Sequence, residues 1–91
     1  MLKITRQDNA AQTVFDLEGK LAGPWVEELH GWWRDAVDGG RSVKVLLCAV
    51  TFMDERGREL LIEMYRDGAE LVAKGCMTKA IVDEITRGGR K

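Results

Sequence analysis

An apolar stretch from Val43 to Val50 runs into Asp54-Glu55-Arg56-Gly57 with almost no intervening loop. The stretch has strand length, is rich in β-branched and aliphatic residues, and is broken only by Lys44, which predicts a strand covered by other structure. Asp54 stands where a helix N-cap belongs, because its carboxylate can accept the otherwise unpaired backbone N–H groups of a first helical turn. Glu55 adds a second anion at the positive end of the helix dipole. Function is expected at this junction between strand and helix.

Upstream, Leu2 and Ile4 alternate with Lys3 and Thr5, Gln7-Asp8-Asn9 supplies turn chemistry, and Val14 to Leu17 resumes the extended pattern. These signals predict an opening β-hairpin. Gly19 and Gly23 bracket a short crossing segment through Leu21. Pro24 suits the first position of a helix, where its missing N–H is no loss. That helix is expected from about Pro24 to Asp38, closed by Gly39-Gly40. Val26, Leu29, Trp33 and Ala36 or Val37 recur at spacings of three and four, a stripe for packing on a sheet. Trp25 and Trp32 lie on an adjoining face, so at least one is expected to be partly exposed, either covering a sheet edge or forming a partner or dimer surface.

A second helix is expected from about Glu55 to Arg66, with Leu60, Leu61 and Met64 facing the sheet and Asp67-Gly68 ending it. Gly57 in its first turn lets the helix start pack closely against the strand that feeds it. Arg58, Glu59, Ile62, Glu63, Tyr65 and Arg66 lie on the opposite faces; Ile62 and Tyr65 form a small exposed apolar spot or tuck against neighbouring structure. Glu70 to Ala73 reads as a short strand, Lys74-Gly75 as a turn, and Met77 to Arg87 as a last helix with Met77, Ala80, Ile81 and Ile85 inward, followed by a frayed tail from Gly88 to Lys91. Strands alternating with helices favour parallel pairing by right-handed crossovers. The expected fold is a single α/β domain over residues 1–91: a small mixed β-sheet, with an opening antiparallel hairpin and then parallel strands, and helices packed mainly on one face.

The composition excludes several functions. Fourteen basic and fifteen acidic side chains leave a net charge of −1, so no global field recruits nucleic acid or an anionic membrane. No stretch approaches the roughly 18 apolar residues of a membrane span, and the N-terminus lacks the regions of a signal peptide; a cytoplasmic protein without membrane insertion is expected. Cys48 and Cys76 are too far apart for a CxxC motif and read as small buried hydrophobes. His30, the single histidine, has no second ligand at metal spacing and reads as solvated or capping. No phosphate-binding glycine loop and no GxSxG elbow is present, and Ser42 is the only serine. Neither catalysis, a cofactor nor a metal is expected.

The pattern Phe15-x-Leu17-x-Gly19-x-Leu21, then a helix, then a strand ending Val50-x-Phe52-Met53-Asp54-x-x-Gly57 and a helix carrying Leu60-Leu61 resembles the STAS domain of bacterial anti-sigma factor antagonists. The resemblance covers about residues 2 to 87. It implies an interaction module that docks on an anti-sigma factor with a serine kinase fold, releases sigma factor, and is switched off by phosphorylation of a serine at the helix start. The family motif is commonly D-S-S-G or D-S-T-G. Here Arg56 occupies the phosphoacceptor position and Glu55 precedes it, so the usual switch has no acceptor. A phosphate would bring about −1.5 to −2 charges, whereas Arg56 brings a positive charge and Glu55 a single negative one, so the junction is not a phosphomimic. Thr51, the nearest hydroxyl, lies on the strand side of Asp54. Many relatives continue with another strand and helix where this sequence stops, so an uncovered sheet edge is expected that a homodimer or partner would cover.

Three functions follow. The first is a regulator of transcription that binds a kinase-type anti-sigma factor through Asp54, Glu55, Arg56, Gly57, Arg58, Ile62 and Tyr65. The second is a small cytoplasmic STAS subunit of a lipid-transport ABC system, using the same surface on an ATPase. The third is a nucleotide-binding module, disfavoured because Asp54 and Glu55 oppose a phosphate at that helix start.

Overall fold

Seven elements follow one another among the described residues: β1 (Leu2–Asp8), β2 (Gln12–Leu21), α1 (Pro24–Asp38), β3 (Ser42–Met53), α2 (Glu55–Arg66), β4 (Glu70–Val72) and α3 (Lys79–Gly88). They come from a computed structural model that describes residues 2–73 and 79–88, the last three by backbone alone. The sheet order is β1-β2-β3-β4. β1 and β2 pair antiparallel, and β2, β3 and β4 pair parallel. Both parallel crossovers step in the same direction across the sheet, so right-handed connections place α1 and α2 on the same face. α3 packs beside them against α2 and β4. The expected mixed sheet with helices on one face is therefore observed.

The hairpin turn is built by Asn9, whose Oδ1 accepts from the backbone N–H groups of Ala11 and Gln12 at 2.9 and 2.7 Å, an Asx turn. In β2 the helix-facing positions Thr13, Phe15, Leu17 and Leu21 are buried. The expected α1 stripe of Val26, Leu29, Trp33 and Ala36 and the α2 stripe of Leu60, Leu61 and Met64 close over them. Trp25 and Trp32 are both half-buried flanks of this core, Trp32 meeting Phe15 edge to face with ring centroids 6.3 Å apart. Thr13 is the one buried polar side chain among the described residues. Its hydroxyl donates to Asp8 Oδ1 at 2.7 Å. Arg6 joins the same corner, bonding Asp8 at 3.0 Å and reaching across to Asp35 of α1 at 2.9 Å.

β3 corrects the expectation of a strand covered throughout. Val43, Val45, Leu47 and Val50 are buried, but Lys44 and Leu46 are half-buried and Cys48 and Ala49 are exposed. Monotonic strand order leaves the second sheet face without a helix layer, and an apolar run alone does not reveal that. Cys48, read as a buried hydrophobe, instead lies on the exposed side. The strand also carries two bulges, since pairing with β2 shifts between Asp16 and Glu18 and again between Gly19 and Lys20. Each gives β3 one residue more than its partner, so the inward positions run Leu47, Val50, Met53 at spacings of three. Bulges bend a strand and re-aim its side chains.

β2 continues unbroken through Gly19 to Leu21, so no separate crossing segment exists there. In α3 the inward positions are Val82 and Ile85, with Ile81 half-buried and Ala80 exposed. His30 is exposed in mid-helix, edge to face with Trp33 at 5.6 Å, and caps nothing. The expected turn at Lys74-Gly75, the inward Met77, Cys76 and the tail beyond Gly88 lie outside the described residues.

Candidate functional site

β3 ends where two helix starts meet. Asp54 takes the extended conformation of an N-cap, and its Oδ1 accepts from the Gly57 N–H at 2.8 Å. Its Oδ2 accepts from the Gly23 N–H at 3.0 Å. Gly23 is the residue before α1, with φ of 60° and no side chain to cap that helix itself. One carboxylate thus ties the starts of α1 and α2 together. The Asp54 N–H closes the corner by donating to the Leu21 carbonyl at 3.2 Å.

These bonds set the charge state of the site. The N–H of Gly57, then that of Gly23, and the nearby Arg56 charge hold the Asp54 carboxyl below its ordinary value of 3.8. A folded pKa below the unfolded one means that the carboxylate's contribution is complete above the unfolded pKa and is lost as pH falls through the folded one. Asp54→Asn keeps one acceptor but turns an N–H donor toward one of the two backbone N–H groups. The variant is expected to be less stable than the parent at neutral pH, with the gap closing below about pH 4. Urea denaturation from neutral pH to the acid limit checks this, and a constant gap would refute the role given to the Asp54 charge.

The expected contact residues divide by geometry. Asp54 and Gly57 form the frame, and Gly57 is buried. Glu55 is exposed at the tip of α2. Arg56 turns to the α1 side, where its Nη2 meets Glu27 Oε2 at 3.0 Å. Arg58 turns the opposite way and pairs with Glu84 of α3. Both pairs are solvent-exposed and add little stability, but they fix the direction in which each guanidinium points. Ile62 and Tyr65 are half-buried and packed on the core rather than forming an exposed spot. A depression of about 430 Å³ beside the helix start is lined by Met53, Asp54, Glu55, Arg58, Ile81 and Glu84.

Phe52 completes the surface, although in the sequence it stands out only as part of a motif. At 51% exposure it is the exposed large hydrophobic residue among those described. The second bulge accounts for it: Thr51 and Phe52 fall between the inward Val50 and Met53, and Phe52 pairs with Lys20 across the strand. The Thr51 hydroxyl is committed to the Gly19 carbonyl at 3.3 Å. Among the described residues no cluster of three or more His, Cys, Asp or Glu side chains is arranged to hold a metal ion. None of their helices is long and apolar enough to cross a membrane.

No protein-family model and no curated protein matches the sequence. Among solved structures, the anti-sigma factor antagonist SpoIIAA in its unphosphorylated form is similar with a TM-score of 0.65 at 16% identity, over 97% of this chain and 99% of that one. An antisigma-factor antagonist STAS domain from Rhodobacter sphaeroides gives 0.54 at 19% identity, over 81% of this chain and 86% of that one. A structure described as Mglu gives 0.62 at 21% identity over 80% of this chain. The matched part is only 19% of the Mglu chain, so there the fold is one portion of a larger protein. The chain has the STAS fold, with its antiparallel opening pair, parallel remainder and one-sided helices.

Proposed function

We propose that this chain is a STAS-type interaction module of the anti-sigma factor antagonist kind, which binds a protein partner through the start of α2 and is not switched by serine phosphorylation there. The observation that carries the reading is the junction itself. A rigid frame of Asp54, Gly57, Gly23 and Leu21 presents Phe52, Glu55, Arg56 and Arg58 outward. An exposed aromatic and arginines held by ion pairs, all within one strand-to-helix junction, match the residue types of binding hot spots. At the position before Gly57 stands Arg56, already engaged by Glu27, so control of binding rests on something other than a phosphoserine. The partner is an anti-sigma factor of serine kinase fold, through which the module regulates transcription; Ile62 and Tyr65 support the rim of the contact.

The test is an affinity capture of the tagged protein from its native lysate, read by mass spectrometry, with Arg56→Glu and Phe52→Ala alongside. Both substituted side chains are exposed, so each variant is expected to fold as the parent does while losing at least about tenfold in partner affinity, the scale of one hot-spot side chain. Recovery of a kinase-type anti-sigma factor, weakened in both variants, supports the reading. Recovery of ABC-transporter subunits instead moves the module to lipid transport, and capture indifferent to both substitutions rejects this surface.

A further inference from the structure

A second surface lies on the α1 side of α2. Between the two helices runs an open groove of about 520 Å³, with Val26 and Leu60 at its floor and Gly31 in its α1 wall. Gly31 sits in the interior of α1, where glycine weakens a helix relative to alanine. Nothing in the fold requires it: its φ is not in the left-handed region, and an added Cβ would meet no atom within 4 Å. Gly57, by contrast, is demanded by its surroundings. The space above Gly31 is therefore open from within the chain.

The opposite wall has an equally unexplained cost. Glu59 and Glu63 are one helical turn apart on α2 and both line the groove, a spacing at which like charges repel. Neither forms an ion pair among the described residues. Arg56, the one arginine or lysine lining the groove among the described residues, is paired with Glu27, and His30 lines the α1 wall. The groove thus joins an apolar floor, a gap at helix-backbone level and two carboxylates that repel each other.

We infer that this groove docks a cationic amphipathic helix of a partner protein, seating an apolar side chain over Gly31 against Val26 and Leu60 and bringing lysines or arginines to Glu59 and Glu63. Apolar anchors in a groove between helices, with charges of opposite sign along the rim, are how amphipathic helices are recognised. The rim charges add steering and selectivity. The groove shares Arg56 with the contact proposed at the helix start, but neither Phe52 nor Arg58 lines it.

Two labelled model helices with the same apolar face, one carrying lysine and the other glutamate at its polar positions, provide the test by titration against the full chain. Binding is followed by fluorescence anisotropy and by amide chemical shifts. The lysine helix is expected to bind with shifts centred on Gly31, Glu59 and Glu63, and the glutamate helix not to bind. Gly31→Leu and Glu59→Lys/Glu63→Lys are each expected to lower affinity at least about tenfold, while Phe52→Ala leaves it unchanged. Gly31→Leu should melt no lower than the parent, which separates a blocked groove from a lost fold. Absent binding, equal binding of both helices, shifts elsewhere, or affinity indifferent to Gly31→Leu would overturn the proposal. Self-association in sedimentation, abolished by Gly31→Leu, would assign the groove to a second copy of the chain and overturn it equally.

Discussion

Gly57→Ala is expected to destabilise the protein by about 1–3 kcal/mol, the usual cost of forcing an extra carbon into a filled space. An alanine Cβ there would stand 2.6 Å from the Leu21 carbonyl oxygen, 3.0 Å from Leu21 Cγ and 3.2 Å from Met53 Cγ. The closest of these is backbone, and it cannot yield freely because the same oxygen accepts the Asp54 N–H at 3.2 Å. Alanine's better helix propensity returns at most about 1 kcal/mol. For a domain of this size each kcal/mol moves the melting temperature by roughly 4–8 °C, so thermal denaturation resolves the effect. The clash should also push α2 away from β2 and stretch the Asp54 bonds, so binding at the helix start should weaken beyond what lost stability explains. Gly31→Ala is the control, with the opposite sign expected, because its Cβ meets nothing within 4 Å. If both variants melt alike, close approach is not what selects glycine at position 57.

Trp33→Ala is expected to cost about 3–5 kcal/mol, as for large aromatic side chains truncated in a core. Trp33 is 2% exposed and is among the largest fully enclosed side chains of the structure. It belongs to the core by which α1 packs on the sheet, and it lines a small depression together with Ser42, Val43 and Ala69. A small domain has only about 5–15 kcal/mol in total, so the variant should be partly unfolded near physiological temperature and show a clear drop in urea midpoint. Trp25→Ala and Trp32→Ala, at half-buried positions, should cost distinctly less. Equal losses at all three positions would mean that the helix is oriented differently from the structure described above.

The parts legible in the sequence are those governed by local chemistry. Pro24 and Gly39 bound α1, and its apolar stripe follows from a spacing of three and four. Asp54 begins α2 because an aspartate can cap its own helix, and that helix spans Glu55–Arg66 as expected. Gly57 is legible as a close-packed residue, since glycine in a first turn needs a reason. The caps and the stripe involve residues a few positions apart, which composition and spacing report directly; for Gly57 the sequence reports only the need for close approach, and the partner, Leu21, comes from the fold.

What the tertiary structure decided depends on residues far apart in the chain. Asp54 reaches Gly23 across 31 positions, and the guanidiniums of Arg56 and Arg58 point to Glu27 and Glu84, 29 and 26 positions away. Those bonds split an apparently continuous surface along α2 into an α1 side and an α3 side. The bulges of β3 exist only relative to its pairing with β2, and they turn Ala49 outward inside the apolar run and Phe52 outward just beyond it, while Cys48 shares the face with Lys44 and Leu46 that no helix covers. Val82 rather than Ala80 faces inward because α3 is oriented by α2 and β4, not by its own periodicity alone. Sequence by itself determined where the chain turns, caps and coils, whose energies are local; pairing register and helix placement decided which faces are left for a partner.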